Sequence, residues 1–96
     1  MRDYAQLYTF PNGTTNIAFN TNVGFFNLHS ITIRGNGTDS VSITLKNAAG
    51  TIIYEDALPS GSLSNYISFP NPLHLADSGT FIVSGTDGRA YVTFST

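Results

Sequence analysis

Apolar and polar residues alternate along most of this chain with a period of two. Ser30-Ile31-Thr32-Ile33-Arg34 shows it, as does Ser40-Val41-Ser42-Ile43-Thr44-Leu45-Lys46. Successive side chains of a strand point to opposite faces, so Ile31, Ile33, Val41, Ile43 and Leu45 are expected to face a core while the Ser and Thr face water. His29 falls on the same side as Ile31 and Ile33 if that strand is regular. Gly35-Asn36-Gly37-Thr38-Asp39 separates the two runs, and its Asn-Gly step predicts a tight hairpin. Asn47-Ala48-Ala49-Gly50 predicts a second hairpin, into Thr51-Ile52-Ile53-Tyr54-Glu55.

Leu63 to Phe69 alternates again, with Ile67 and Phe69 on one face and Tyr66 and Ser68 on the other. Pro70 and Pro72 are expected to end that strand, because proline cannot donate to a ladder. Leu73 to Asp77 allows at most one helical turn. Phe81-Ile82-Val83 is a short apolar run that Gly85-Thr86-Asp87-Gly88-Arg89 turns into Tyr91-Val92-Thr93-Phe94, with Val92 and Phe94 inward. Near the start, Tyr4 to Phe10 and Thr15 to Phe19 are strand-like around Pro11-Asn12-Gly13, and Phe25 to Leu28 leads into the strand of Ile31. About eight or nine short strands with turns every 8–12 residues or so predict an all-β fold, an antiparallel two-sheet sandwich that is jelly-roll-like. Residues 1–96 are expected to form one domain, since a second would leave both halves too small to bury enough apolar surface.

Composition narrows the function classes. Charged residues are 10% of the 96, against about 25% in a typical soluble domain, so Ser, Thr and Asn must coat the surface. Arg2, Arg34, Lys46 and Arg89 are the fixed cations and the net charge is −2. Neutralising a nucleic-acid backbone takes a cluster of Lys and Arg, so neither nucleic acid nor an anionic membrane is expected as a partner. The chain has no cysteine, which excludes disulfides and thiolate chemistry and favours a reducing compartment. Met1 to Tyr8 does not read as a secretory signal, and no stretch approaches the ~18 apolar residues of a spanning helix.

Candidate chemistry is sparse. His29 and His74 stand far apart in sequence, whereas a transition-metal site needs three or four converging ligands. Of the acids Asp3, Asp39, Glu55, Asp56, Asp77 and Asp87, the adjacent Glu55 and Asp56 point to opposite sides of a strand and cannot share a substrate. Asp39 and Asp87 read as turn residues that cap backbone amides; a calcium site built from such loop carboxylates is the minor alternative. No Gly-x-Ser-x-Gly elbow occurs. Gly35-Asn36-Gly37 precedes a strand, so no helix N-terminus holds a phosphate. Asn12 and Asn36 match the glycosylation pattern, but turn chemistry already accounts for both. No catalytic, metal or cofactor-binding residues are expected, and the chain is not expected to be an enzyme.

The aromatic residues carry more information. Tyr66 and Tyr91 point away from the apolar faces of their strands. Tyr4, Tyr8 and Phe10 share one side of the first segment and Leu7 takes the other, so this segment is apolar on both faces. A chain this short buries too little surface to hide many aromatics unaided. Tyr4, Leu7, Tyr8, Phe10, Tyr66 and Tyr91 are therefore the candidate protein interface. Two alternatives stay open: one side packs beneath a loop or edge, or the tyrosines form a sugar-stacking platform.

Several phrases follow one another in order: Leu28-His29-Ser30-Ile31-Thr32-Ile33; Asn36-Gly37; Val41-Ser42-Ile43-Thr44-Leu45; Asn47-Ala48-Ala49-Gly50-Thr51-Ile52-Ile53-Tyr54; Ile67-Ser68-Phe69-Pro70-Asn71-Pro72-Leu73; Gly79-Thr80-Phe81-Ile82-Val83-Ser84-Gly85; and Ala90-Tyr91-Val92-Thr93-Phe94. From Leu28 to Phe94, about two-thirds of the chain, this series resembles small virion accessory proteins of tailed bacteriophages. The distinctive parts are Phe-Pro-Asn-Pro and the overall order. The resemblance implies a one-domain β-sandwich that decorates or cements a capsid, or attaches near the tail. It implies the major capsid protein or another virion protein as partner, a homo-oligomer (trimer or dimer), and location in a virion assembled in the host cytoplasm. It carries no catalytic residues across. Residues 1–26 lie outside the likeness and are expected to serve docking or oligomerisation. The alternatives are a carbohydrate-binding module using Tyr54, Tyr66 or Tyr91 or a tail- or baseplate-associated binding protein, with a hydrolase relying on His29 well behind.

Overall fold

The computed structural model describes residues 5–18, 26–75 and 78–95. They form eight strands: β1 (Ala5–Phe10), β2 (Gly13–Ala18), β3 (Phe26–Arg34), β4 (Val41–Asn47), β5 (Ile52–Leu58), β6 (Ser64–Leu75), β7 (Ser78–Ser84) and β8 (Arg89–Ser95). A front sheet runs in the order β1-β8-β3-β6 and a back sheet in the order β2-β7-β4-β5. Every pairing is antiparallel. First pairs with last, second with seventh, third with sixth and fourth with fifth, which is the expected jelly-roll-like sandwich.

The period-two pattern builds the core directly. Leu28, Ile31, Ile33, Ala90, Val92 and Phe94 of the front sheet meet Val41, Ile43, Leu45, Leu58, Phe81 and Val83 of the back sheet, all buried. Burying each of the larger side chains contributes roughly 1.5–3 kcal/mol before chain entropy is counted. Phe10 completes the core, stacking on Phe81 at 4.6 Å between ring centroids with its edge toward Phe94. Tyr8 sets its ring at 72° to that of Phe94, 5.4 Å away.

The connections depart from the sequence reading. Asn36-Gly37 does not close a hairpin, because β3 and β4 lie in different sheets; only β4 to β5 stays within one sheet. A two-residue hairpin of that type needs positive φ at both central positions. Gly37 has it, at 85°, but among the described non-glycine residues only Asp87 does, at 57°. Instead the Asn36 side chain shapes the loop: its Oδ1 accepts from the Thr38 and Asp39 amides at 2.8 and 2.9 Å. That Asx-type capping turns the chain across to the other sheet. Asp39 was expected to cap amides, but its carboxylate accepts from the Asn36 Nδ2 at 3.0 Å.

Two strand details also differ. β6 continues through Pro70 and Pro72 to Leu75 instead of ending, and Leu73 to Leu75 are strand, not helical turn. It is an edge strand, and its register with β3 skips from Ser68 to Leu73, so residues 69–72 need no ladder partner and the prolines are tolerated. In β3 the register shifts between Leu28 and Ser30 against both neighbours. Against β8, where Leu28 and Ser30 face the adjacent Phe94 and Thr93, His29 is the extra residue of a bulge; it is half-buried, and Leu28 takes the core position.

The loops at one end are tied together. Gly35 N donates to Leu63 O at 3.0 Å and Gly61 N to Thr38 O at 3.1 Å. Asn12 Nδ2 donates to the Gly85 carbonyl, and Asn36 Nδ2 reaches Asp87 at 3.5 Å. Gly85 has φ 135°, and a Cβ there would stand 2.4 Å from the Ser40 carbonyl oxygen. Only glycine allows that approach.

Candidate functional site

The outer face of the front sheet is built by the residues that alternate with its core positions. Cross-strand register arranges them in rows. Leu7, Thr93, Ser30 and Ser68 form one; Thr9, Tyr91, Thr32 and Tyr66 the next; Arg89, Arg34 and Ser64 a third. Tyr91 and Tyr66 thus share a row, separated by Thr32, two strand spacings or roughly 10 Å apart. Leu7 is 66% exposed and Tyr66 65%. Arg34 and Arg89 are exposed, and Tyr91 is half-buried. Arg89 Nε donates to the Tyr91 hydroxyl at 2.8 Å, which fixes both side chains relative to each other. Farther along the face, His74 Nδ1 lies 3.1 Å from Asn27 Oδ1.

Of the six candidate interface residues, the structure brings Leu7, Tyr66 and Tyr91 to this one face. Tyr8 lies on the opposite, core-facing side of β1 and keeps 37% exposure at the sheet edge. Phe10 is only 6% exposed and belongs to the core. Its segment is apolar on both sides because one side closes the sandwich and the other presents Leu7. Tyr4 lies outside the described residues, as do Asp3 and Asp77.

Tyr54 does not offer a free stacking surface. Its ring meets Phe69 edge-on at 5.0 Å, and its hydroxyl donates to Asp56 Oδ2 at 2.8 Å. Burial above all, then the bond to the Asp56 carboxylate and the charge of that carboxylate, pushes the Tyr54 hydroxyl up to about 12. Glu55 points outward and Asp56 is half-buried, on opposite sides of β5. Among the described residues, no three His, Cys, Asp or Glu side chains cluster so as to hold a metal ion. The Asn36, Asp39 and Asp87 group is spent on holding its two loops.

Sequence reasoning missed Arg34 and Arg89 as members of the face. Their juxtaposition depends on β3 pairing with β8, a contact between distant segments with no local signal.

No family model matches the chain, and no curated protein matches it. Among solved structures it is similar to a chain of the disulfide-linked pili that form Bacillus endospore appendages. The identity is 16% and the TM-score 0.53, over 98% of this chain and 85% of that one. That likeness is one of fold; this chain has no cysteine with which to form disulfides. It also aligns with a chain of the infectious bursal disease virus particle and with that virus's VP2 protein, at 12% and 10% identity. Both alignments have a TM-score of 0.35, cover 93% of this chain and span 31% of the viral chain, and are too loose to inform the fold.

Proposed function

We propose that this chain is a structural protein that works by docking, and specifically a decoration or cement protein of a phage capsid that stabilises the assembled shell through protein–protein contacts. The observation that carries the reading is the outer face of the front sheet. It presents Leu7, Tyr66 and Tyr91 on a sheet whose other side already closes a complete core. Tyr and Arg are the residues in which interface energy concentrates, and the surrounding Ser and Thr are cheap to desolvate compared with charges. The resemblance from Leu28 to Phe94 points the same way. A cement protein binds the assembled shell and not separated subunits, so mass action favours the intact particle, and repetition of the shell multiplies modest contacts into avidity. Non-enzymatic action, virion location and assembly as a dimer or trimer belong to the same proposal.

Cosedimentation with empty and mature particles of its own phage tests it. Saturable binding to the mature shell supports the proposal, and absence from both pellets contradicts it.

A second reading has one observation in its favour. Tyr66 and Tyr91 share a cross-strand row, the arrangement a sugar-stacking platform requires. Glycan-array binding that disappears on Tyr66→Ala or Tyr91→Ala would promote a carbohydrate-binding module over a capsid protein.

A further inference from the structure

Arg34 of β3 and Arg89 of β8 are direct register partners on the exposed side of the front sheet. Like charges set opposite each other across two strands destabilise a sheet. Among the described residues the face itself carries no carboxylate; the acids nearest to it in sequence are Asp87, two residues before Arg89, and Asp39, both in the loops that adjoin this row. Asp39 and Asp87 sit in loops and accept from Asn36, while Glu55 and Asp56 belong to β5 at the far edge of the back sheet. A chain with a net charge of −2 thus concentrates two arginines in one row beside Tyr91 and Tyr66. The Arg89 to Tyr91 hydrogen bond uses one N–H of the guanidinium. The rest of its donor fork is left for an acceptor.

From this geometry we infer that the face receives an acidic protein surface, in which Asp or Glu carboxylates bridge Arg34 and Arg89 while apolar side chains cover Tyr66, Tyr91 and Leu7. This rests on the docking function proposed above and names the chemistry of the partner. Three arguments select that occupant. A second copy applied face to face fails, because an isologous contact must be its own complement and a patch with two arginines and no acid is not. A nucleic-acid strand fails, because two cations neutralise too few phosphates to hold it. A glycan gains little from Leu7, whose aliphatic side chain stands exposed on the same face and suits an apolar protein contact. Arginine's planar fork matches a carboxylate bidentately, which adds orientation to attraction. A two-fold dimer with this face applied to itself is therefore excluded.

The full chain is tested by biolayer interferometry against an immobilised random copolymer of Glu and Tyr, with a Lys and Tyr copolymer and polygalacturonate as parallel arms. The wild type is expected to bind the Glu copolymer and not the Lys copolymer, and more weakly at high salt. The double variant R34Q/R89Q is expected to lose roughly tenfold or more in affinity, and a thermal melt no lower than that of the wild type shows that it folds. Failure to bind the Glu copolymer, or equal binding by the double variant, overturns the inference. Binding to polygalacturonate alone also overturns it and assigns the face to an acidic glycan. Cosedimentation separates this inference from the broader proposal. If R34Q/R89Q pellets with phage particles as well as the wild type does, the acidic partner is wrong and docking stands; if the wild type pellets with none, docking itself is wrong.

Discussion

Phe10 stacks almost parallel on Phe81, 4.6 Å between centroids and 16° between planes, and so joins the first strand of the front sheet to the back sheet. Removing one ring from such a pair loses the buried area and leaves a cavity between the sheets. Phe10→Ala is expected to destabilise the fold by about 3–5 kcal/mol. Leu7→Ala, on the outward side of the same strand, should stay within roughly 0.5 kcal/mol of the wild type. Urea denaturation of the two variants measures the difference. Equal losses would contradict the division of β1 into a core side and a presenting side.

Gly85 allows a separate test of the tied loop end. Ala at this position meets both a positive φ and the Ser40 carbonyl oxygen at 2.4 Å, whereas Ala at Gly13 meets φ 112° with nothing within 4 Å. Strain alone costs about 1–3 kcal/mol, so Gly13→Ala should fall in that range and Gly85→Ala should exceed it. Thermal denaturation of the pair isolates the contribution of the close approach.

Asn36 holds two loops through one amide, its Nδ2 donating to Asp39 and reaching Asp87. Asn36→Asp replaces that donor with a third carboxylate. We expect a loss of about 1–2 kcal/mol, partly recovered in high salt, which screens repulsion between exposed charges. A melt series in NaCl tests this; a loss independent of salt would point to the lost hydrogen bond alone.

How far these relationships could be read from sequence depends on the range of the contact. Ile31, Ile33, Val41, Ile43, Leu45, Val92 and Phe94 were legible as core because alternation is local. The Asn36-Gly37 step correctly signals positive φ at Gly37, but a turn residue does not state whether the chain stays in its sheet, and here it crosses. Pro70 and Pro72 signal a strand end unless the strand lies at an edge, which only topology decides. The bulge at His29 adds one residue to an otherwise regular run. Tyr66 and Tyr91 were legible as outward-facing. Their common row, and the opposition of Arg34 and Arg89 beside it, require the order β8-β3-β6, which joins segments far apart in the chain.

Tyr54 gives the fold an alkaline limit. Its hydroxyl is pushed up from 10.0 to about 12, mainly by burial and then by Asp56. A group whose value is raised on folding contributes stability that is fully present below its unfolded value and is lost as pH rises through its folded one. The wild type should therefore lose stability between pH 10 and 12. Tyr54→Phe should remove that part of the slope while lowering stability at neutral pH by about 1 kcal/mol, since Asp56 loses a donor. Denaturation midpoints across that interval measure both effects. An unchanged slope in the variant would contradict the assignment.

Docking through the outer face of the front sheet is tested most directly by titrating purified phage particles with the wild-type chain and with the Tyr66→Ala/Tyr91→Ala double variant, bound chain being counted in the pellet. The expected result is saturable binding by the wild type and at least about a tenfold loss in the variant, as for removal of central interface aromatics, with the variant's circular dichroism unchanged. Equal binding by both, or binding by neither, would contradict the account.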